Sequence, residues 1–82
     1  MRYTVVWVPR AAGTLANLWM KAPDRQSVAD ASNRLDVILA DDPELKGKPL
    51  GRLWTRYEPP LAVLYEVIPD DRMVRVVSIK RI

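Results

Sequence analysis

The chain has no cysteine and no histidine among its 82 residues. Without cysteine there is no disulfide framework and no thiolate metal site. Without histidine there is no His-based acid–base catalysis, no Ser-His-Asp triad and almost no route to zinc chemistry. No metal and no other cofactor is therefore expected. Long apolar runs are missing too: none approaches the ~18 residues that suggest a membrane-spanning helix, so no membrane partner is expected. The opening Met-Arg-Tyr-Thr-Val-Val-Trp-Val lacks the apolar segment and small-residue cleavage site of a signal peptide, which points to a cytoplasmic protein. No internal repeat, low-complexity tract or linker divides the sequence.

What is present fits one small domain over residues 1–82. Apolar residues make up 49% of the chain, a globular composition. A domain this size buries only roughly 60% of its unfolded surface, so its stability is modest and a bound partner matters. The formal charge of +3 suits an RNA, DNA or acidic protein partner without specifying one.

The stretch from Pro60 to Ile82 carries the sharpest local pattern. Two apolar, β-branched runs flank Pro69-Asp70-Asp71-Arg72, the signature of a β-hairpin. With the turn at Asp70-Asp71, Ile68 faces Met73, Val67 faces Val74, Glu66 faces Arg75, Tyr65 faces Val76 and Leu64 faces Val77. The two charges inside the ladder meet with opposite signs, and a slip of one residue would lose that pair.

Upstream, Arg2 to Val8 reads as a strand with two apolar faces, ended by Pro9. Arg10 to Lys21 reads as a helix with Ala11, Leu15, Leu18 and Trp19 on its buried stripe, and Trp7 and Trp19 are expected in the core. A second helix is expected from Pro23 or Asp24 to Ala40, burying Val28, Ala31, Leu35, Ile38 and Leu39. Asp41-Asp42-Pro43 stops it. Glu44 to Leu50 reads as a loop; its Lys46-Gly47-Lys48 lacks the spacing of a phosphate-binding P-loop and is read as solvated. Gly51 to Tyr57 is the next strand, and Glu58-Pro59-Pro60 turns into the hairpin. The result is an α+β fold of order β-α-α-β-β-β, a helical hairpin on one face of an antiparallel sheet.

In the hairpin, Val63, Tyr65, Val67, Val74, Val76 and Ser78 form the uncharged parity, which faces the helices. The other parity, with Ala62, Leu64, Glu66, Ile68, Met73, Arg75, Val77, Ile79 and Arg81, is the half-open face. An apolar patch rimmed by charge marks a contact surface. With Leu53 and Tyr57 turned to the core, Arg52, Trp54 and Arg56 join that face. Arg52, Trp54, Arg56, Arg75 and Arg81 are then the candidate binding residues, and Glu66 with Arg75 is a structural ion pair. Edge protection and solubility are the plain alternative for the arginines. Trp54 serves base stacking or packing.

The element order, the Asp42-Pro43 helix stop, the Leu50-Gly51 strand entry and the closing Leu61-Ala62-Val63-Leu64-Tyr65-Glu66-Val67 and Val74-Arg75-Val76-Val77-Ser78-Ile79-Lys80-Arg81 blocks resemble the RelE/ParE toxin superfamily of bacterial type II toxin–antitoxin modules. The resemblance covers nearly the whole chain. It implies one of two activities: metal-independent cleavage of mRNA on the ribosome, or poisoning of DNA gyrase. It also implies a cognate antitoxin as partner. A nuclease needs cations at the phosphate and a group that moves the proton. Many ribonuclease members carry an arginine where this sequence has Ala62, which leaves Arg52 and Arg56 as replacements and the catalytic residues unassigned. The alternative is a non-catalytic member acting as an interaction module, with self-association through the open sheet face.

Overall fold

Pro9 ends the first strand and opens the first helix, where its missing N–H costs nothing. In the computed structural model, which describes residues 2–82, the elements are β1 (Thr4–Trp7), α1 (Pro9–Lys21), α2 (Arg25–Ile38), β2 (Lys48–Leu50), β3 (Leu53–Glu58), β4 (Leu61–Ile68) and β5 (Met73–Arg81). Lys21 in the last turn of α1 complements the helix dipole, and Ala22 leaves the helix in extended conformation. The second helix ends earlier than Ala40: Asp42 turns left-handed, with φ 45°, ahead of the buried Pro43.

The strands form one sheet in the order β1-β5-β4-β3-β2. β1 runs parallel to β5, and every other neighbour pair is antiparallel. Both helices lie on one face. Ala11, Val28, Ala31, Leu35 and Leu39 from the helical side meet Leu61, Val63, Tyr65, Val74, Val76 and Ile79 from the sheet to make the core. The expected α+β architecture is therefore present, with one strand more than expected. Lys48–Leu50, read as loop from its glycine and proline, pairs as an edge strand against Leu53–Thr55.

Four of the five expected hairpin pairs are present, from Ile68 opposite Met73 to Tyr65 opposite Val76. The fifth is not. Leu64 stands opposite Ser78, because Val77 is an extra, unpaired residue, a β-bulge. The bulge reverses the parity of the last turn of strand: Ile79 enters the core and Ser78 is exposed. Arg81 consequently leaves the expected open face and reaches back to Asp24, Nη2 to Oδ2 at 2.9 Å.

The face of β3 is also the reverse of the expectation. Trp54 lies opposite Tyr65, Arg56 opposite Val63 and Glu58 opposite Leu61, all on the helix side. Leu53, Thr55 and Tyr57 share the open side. Trp19, expected in the core, is 42% exposed, beneath the Arg25 guanidinium at 5.0 Å from its ring centroid. Among the described residues, no helix is long and apolar enough to cross a membrane.

Candidate functional site

The open sheet face holds two adjoining grooves. One, about 380 Å³, is bounded by Leu50, Thr55, Tyr57, Ala62, Leu64, Ser78 and Lys80. The other, about 320 Å³, continues around the sheet edge between Lys46, Gly47, Lys48, Thr55, Arg56 and Tyr57. Thr55 and Tyr57 belong to both. The Tyr57 ring, 67% exposed, stands between them.

Three local features put these side chains there. Pro59-Pro60 makes a two-residue turn that sets Glu58 opposite Leu61, so Tyr57 falls opposite Ala62 and points outward. Ala62 is nearly fully buried and has only a methyl group, which leaves a depression beside the ring. The bulge at Val77 turns Ser78 and Lys80 onto the same face. The pairing of Lys48 with Thr55 adds a second lysine from the edge strand.

Behind the groove, a network fixes the loop that carries Lys46 and Lys48. Arg56 donates from Nη1 to the Lys46 carbonyl at 2.7 Å, and from Nε and Nη2 to Glu58 Oε1 at 3.3 and 3.1 Å. Glu58 Oε2 accepts from Arg34 Nε of α2 at 2.8 Å. The hydrogen bond from Arg34, with that from Arg56, holds the Glu58 carboxyl below its ordinary range against the opposing effect of burial. Under the same loop, the buried Tyr65 hydroxyl donates to the Pro43 carbonyl at 2.7 Å. Burial pushes that phenol up to about 12.

The charge of the groove is one-sided. Among the described residues, no carboxylate lines either half. Among the described residues, Lys48 and Lys80 have no acidic side chain within ion-pair distance, whereas Lys46 is held by Asp41 at 3.8 Å. Two free ammonium groups, a flat exposed ring and the Thr55 and Ser78 hydroxyls can hold a phosphate backbone and stack a base. They do not supply an evident proton acceptor. Glu66, the carboxylate on this face, is paired with Arg75 at 3.3 Å.

The five candidate binding residues are not brought together. Arg75 lies on the open face beside Glu66, as expected. Arg52 sits in the exposed turn after Gly51, Trp54 packs on the core, Arg56 is drawn to the helix side by Glu58, and Arg81 is tied to Asp24. Tyr57, Lys48 and Lys80 were not among the candidate binding residues. The signal for Tyr57 was available: extending the hairpin parity back through a two-residue turn puts Arg56 with Val63 and Tyr57 with Ala62.

No protein-family profile matches the chain, and no curated protein matches it. Solved structures do. A chain of the RelBE2 toxin–antitoxin complex of Mycobacterium tuberculosis is 21% identical, with a TM-score of 0.82 over 100% of this chain and 93% of that one. A chain of the chromosomal ParDE toxin–antitoxin system of P. aeruginosa is 14% identical, with a TM-score of 0.76 over 99% and 97%. The free E. coli toxin RelE, as a mutant, is 19% identical, with a TM-score of 0.69 over 99% and 84%. The chain has the RelE/ParE toxin fold.

Proposed function

We propose that this chain is the toxin component of a type II toxin–antitoxin module, that its groove around Tyr57, Lys48 and Lys80 engages RNA on the translating ribosome, and that a cognate antitoxin covers it. The fold supports the toxin reading, since the neighbours are toxin–antitoxin complexes and a toxin. The observation that carries RNA over a protein such as gyrase is the groove itself: an exposed tyrosine between two lysines that have no carboxylate partner, and no carboxylate in the lining, among the described residues. Such a surface tolerates any base on the ring while the lysines track the backbone. The protein acts inside the cell on this reading.

A second reading has its own observation. The carboxylate on the open face is tied to Arg75, so binding without cleavage, by a non-catalytic member of the fold, fits the same groove. Induced expression separates the two. Growth arrest with mRNA cut in translated frames, abolished when Tyr57, Lys48 and Lys80 are all replaced by Ala, is the expected result. Arrest with intact mRNA and a DNA-damage response would favour gyrase, and unimpaired growth would favour the non-catalytic module.

A further inference from the structure

The helical side of the molecule carries a second groove, about 430 Å³, that the proposed function does not use. It runs between α1 and α2, with Ala12, Leu15 and Ala16 along one side, Ala29 and Ser32 along the other, and Trp7 and Trp19 at its ends. We propose that this face pairs with a second copy of the same chain, antiparallel about a twofold axis near Ala29 and Ser32. The inference is independent of the RNA reading, since the two grooves lie on opposite faces.

The argument is one of self-complementary charge. A twofold interface requires that whatever residue i meets on the partner also meets i. Along α2, Arg25, Ala29, Ser32 and Asp36 follow at spacings of four, three and four residues, which places them on one stripe. The stripe begins with a cation and ends with an anion about 16 Å away. Turning a copy through half a revolution about the middle of the stripe sets Arg25 of each chain against Asp36 of the other. Both contacts form at once. The small side chains at the axis let the helices approach.

Both charged ends are already held in place. Asp36 uses Oδ1 to accept the Trp7 indole N–H at 2.7 Å, and its Oδ2 has no hydrogen-bond or ion-pair partner among the described residues. Arg25 donates from Nη2 to the Met20 carbonyl at 3.0 Å and covers Trp19, and its other nitrogens have no hydrogen-bond partner among the described residues. Pairing would also cover apolar surface in the groove that is otherwise wet, above all Trp19, which is 42% exposed.

Sedimentation of the purified chain from low micromolar to near-millimolar concentration tests this, with circular dichroism to confirm that each variant is folded. The wild type should dimerise. Arg25→Asp and Asp36→Arg should each weaken self-association by about tenfold or more, because the axis doubles every like-charge contact. An equimolar mixture of the two variants should recover the dimer, since one chain then presents two anions and the other two cations. Where a reversal fails to fold, Arg25→Gln and Asp36→Asn should show the same loss of pairing. A wild type that stays monomeric throughout, a dimer indifferent to both substitutions, or a mixture of folded reversals that fails to associate would each overturn the proposal.

Discussion

A phenol with no exposed surface must place its hydroxyl, and Tyr65 does so on the Pro43 carbonyl. Replacing Tyr65 by Phe should cost about 1–2 kcal/mol in urea unfolding, the usual penalty for leaving a buried partner unpaired. The same residue sets a pH dependence. Its folded pKa lies at about 12, above the unfolded value near 10, so its contribution is fully present below pH ~10. It is lost as pH rises from there through the folded value, because the unfolded chain ionises first. Wild type should therefore lose stability more steeply than the Phe variant over that alkaline window; equal slopes would mean the phenol is not desolvated. Gly47 answers to the same ring. A Cβ there would meet the Tyr65 hydroxyl and lie 2.6 Å from the Thr55 carbonyl oxygen. Gly47→Ala should cost roughly 1–3 kcal/mol by overpacking, and the Tyr65→Phe background should return only part of it, since the backbone oxygen remains. Glu58 works at the acid end. With its carboxyl depressed by Arg34 and Arg56, it contributes above its unfolded value of about 4.5 and loses that contribution as pH falls through the folded one. Glu58→Gln should flatten the fall in melting temperature on acidification; an unchanged acid profile would show that neither arginine stabilises the charge.

Elements show which of these features a sequence can carry. The β4–β5 hairpin was readable because its turn residues, its β-branched runs and the opposed Glu66 and Arg75 all specify one register. The second helix was readable from its buried stripe, since Val28, Ala31, Leu35 and Leu39 are fully enclosed, whereas in the first only Ala11 is buried and Trp19 is not. The bulge was not, because one extra residue in a run of valines leaves no local mark; it shows only as Ile79 turning inward and Arg81 reaching Asp24. The face of β3 was misread for a different reason. Placing arginines outward presumes that water must solvate them, whereas Arg56 finds Glu58 on the same strand and the Lys46 carbonyl. Glu58 had been spent on a turn. The cross-strand pair that set the register is itself weak. Arg75 and Glu66 keep 45% and 40% of their side-chain surface exposed, so a double-mutant cycle on them should give under about 1 kcal/mol, and less at high salt. A coupling well above that would mean the pair is shielded by something that covers the open face.

At the scale of the whole molecule, the cations fall into two populations, those paired with a carboxylate, Arg75 on the open face among them, and those that are not. On the helix side, Arg34, Arg56 and Arg81 are each paired with a carboxylate and tie α2, the β3–β4 turn and the end of β5 together. On the open side, Lys48 and Lys80 lie along the groove with no carboxylate partner among the described residues. A cation already neutralised within the fold displaces few counterions from a polyanion, whereas a free one displaces its share. Binding to a short single-stranded RNA, followed by fluorescence anisotropy across a salt series, therefore reads the partition directly. Lys48→Ala and Lys80→Ala should each lower the slope of log affinity against log salt by about 0.7, the value for one phosphate of a single strand. Tyr57→Ala should weaken binding by about 1–3 kcal/mol and leave the slope alone, because stacking releases no ions. Arg56→Ala and Arg81→Ala should leave the slope unchanged in variants that remain folded, despite their place among the arginines first singled out by the sequence. If those two substitutions carry the salt dependence and the lysines do not, the groove beside Tyr57 is not where the polyanion lies, and the helix side must open to admit it.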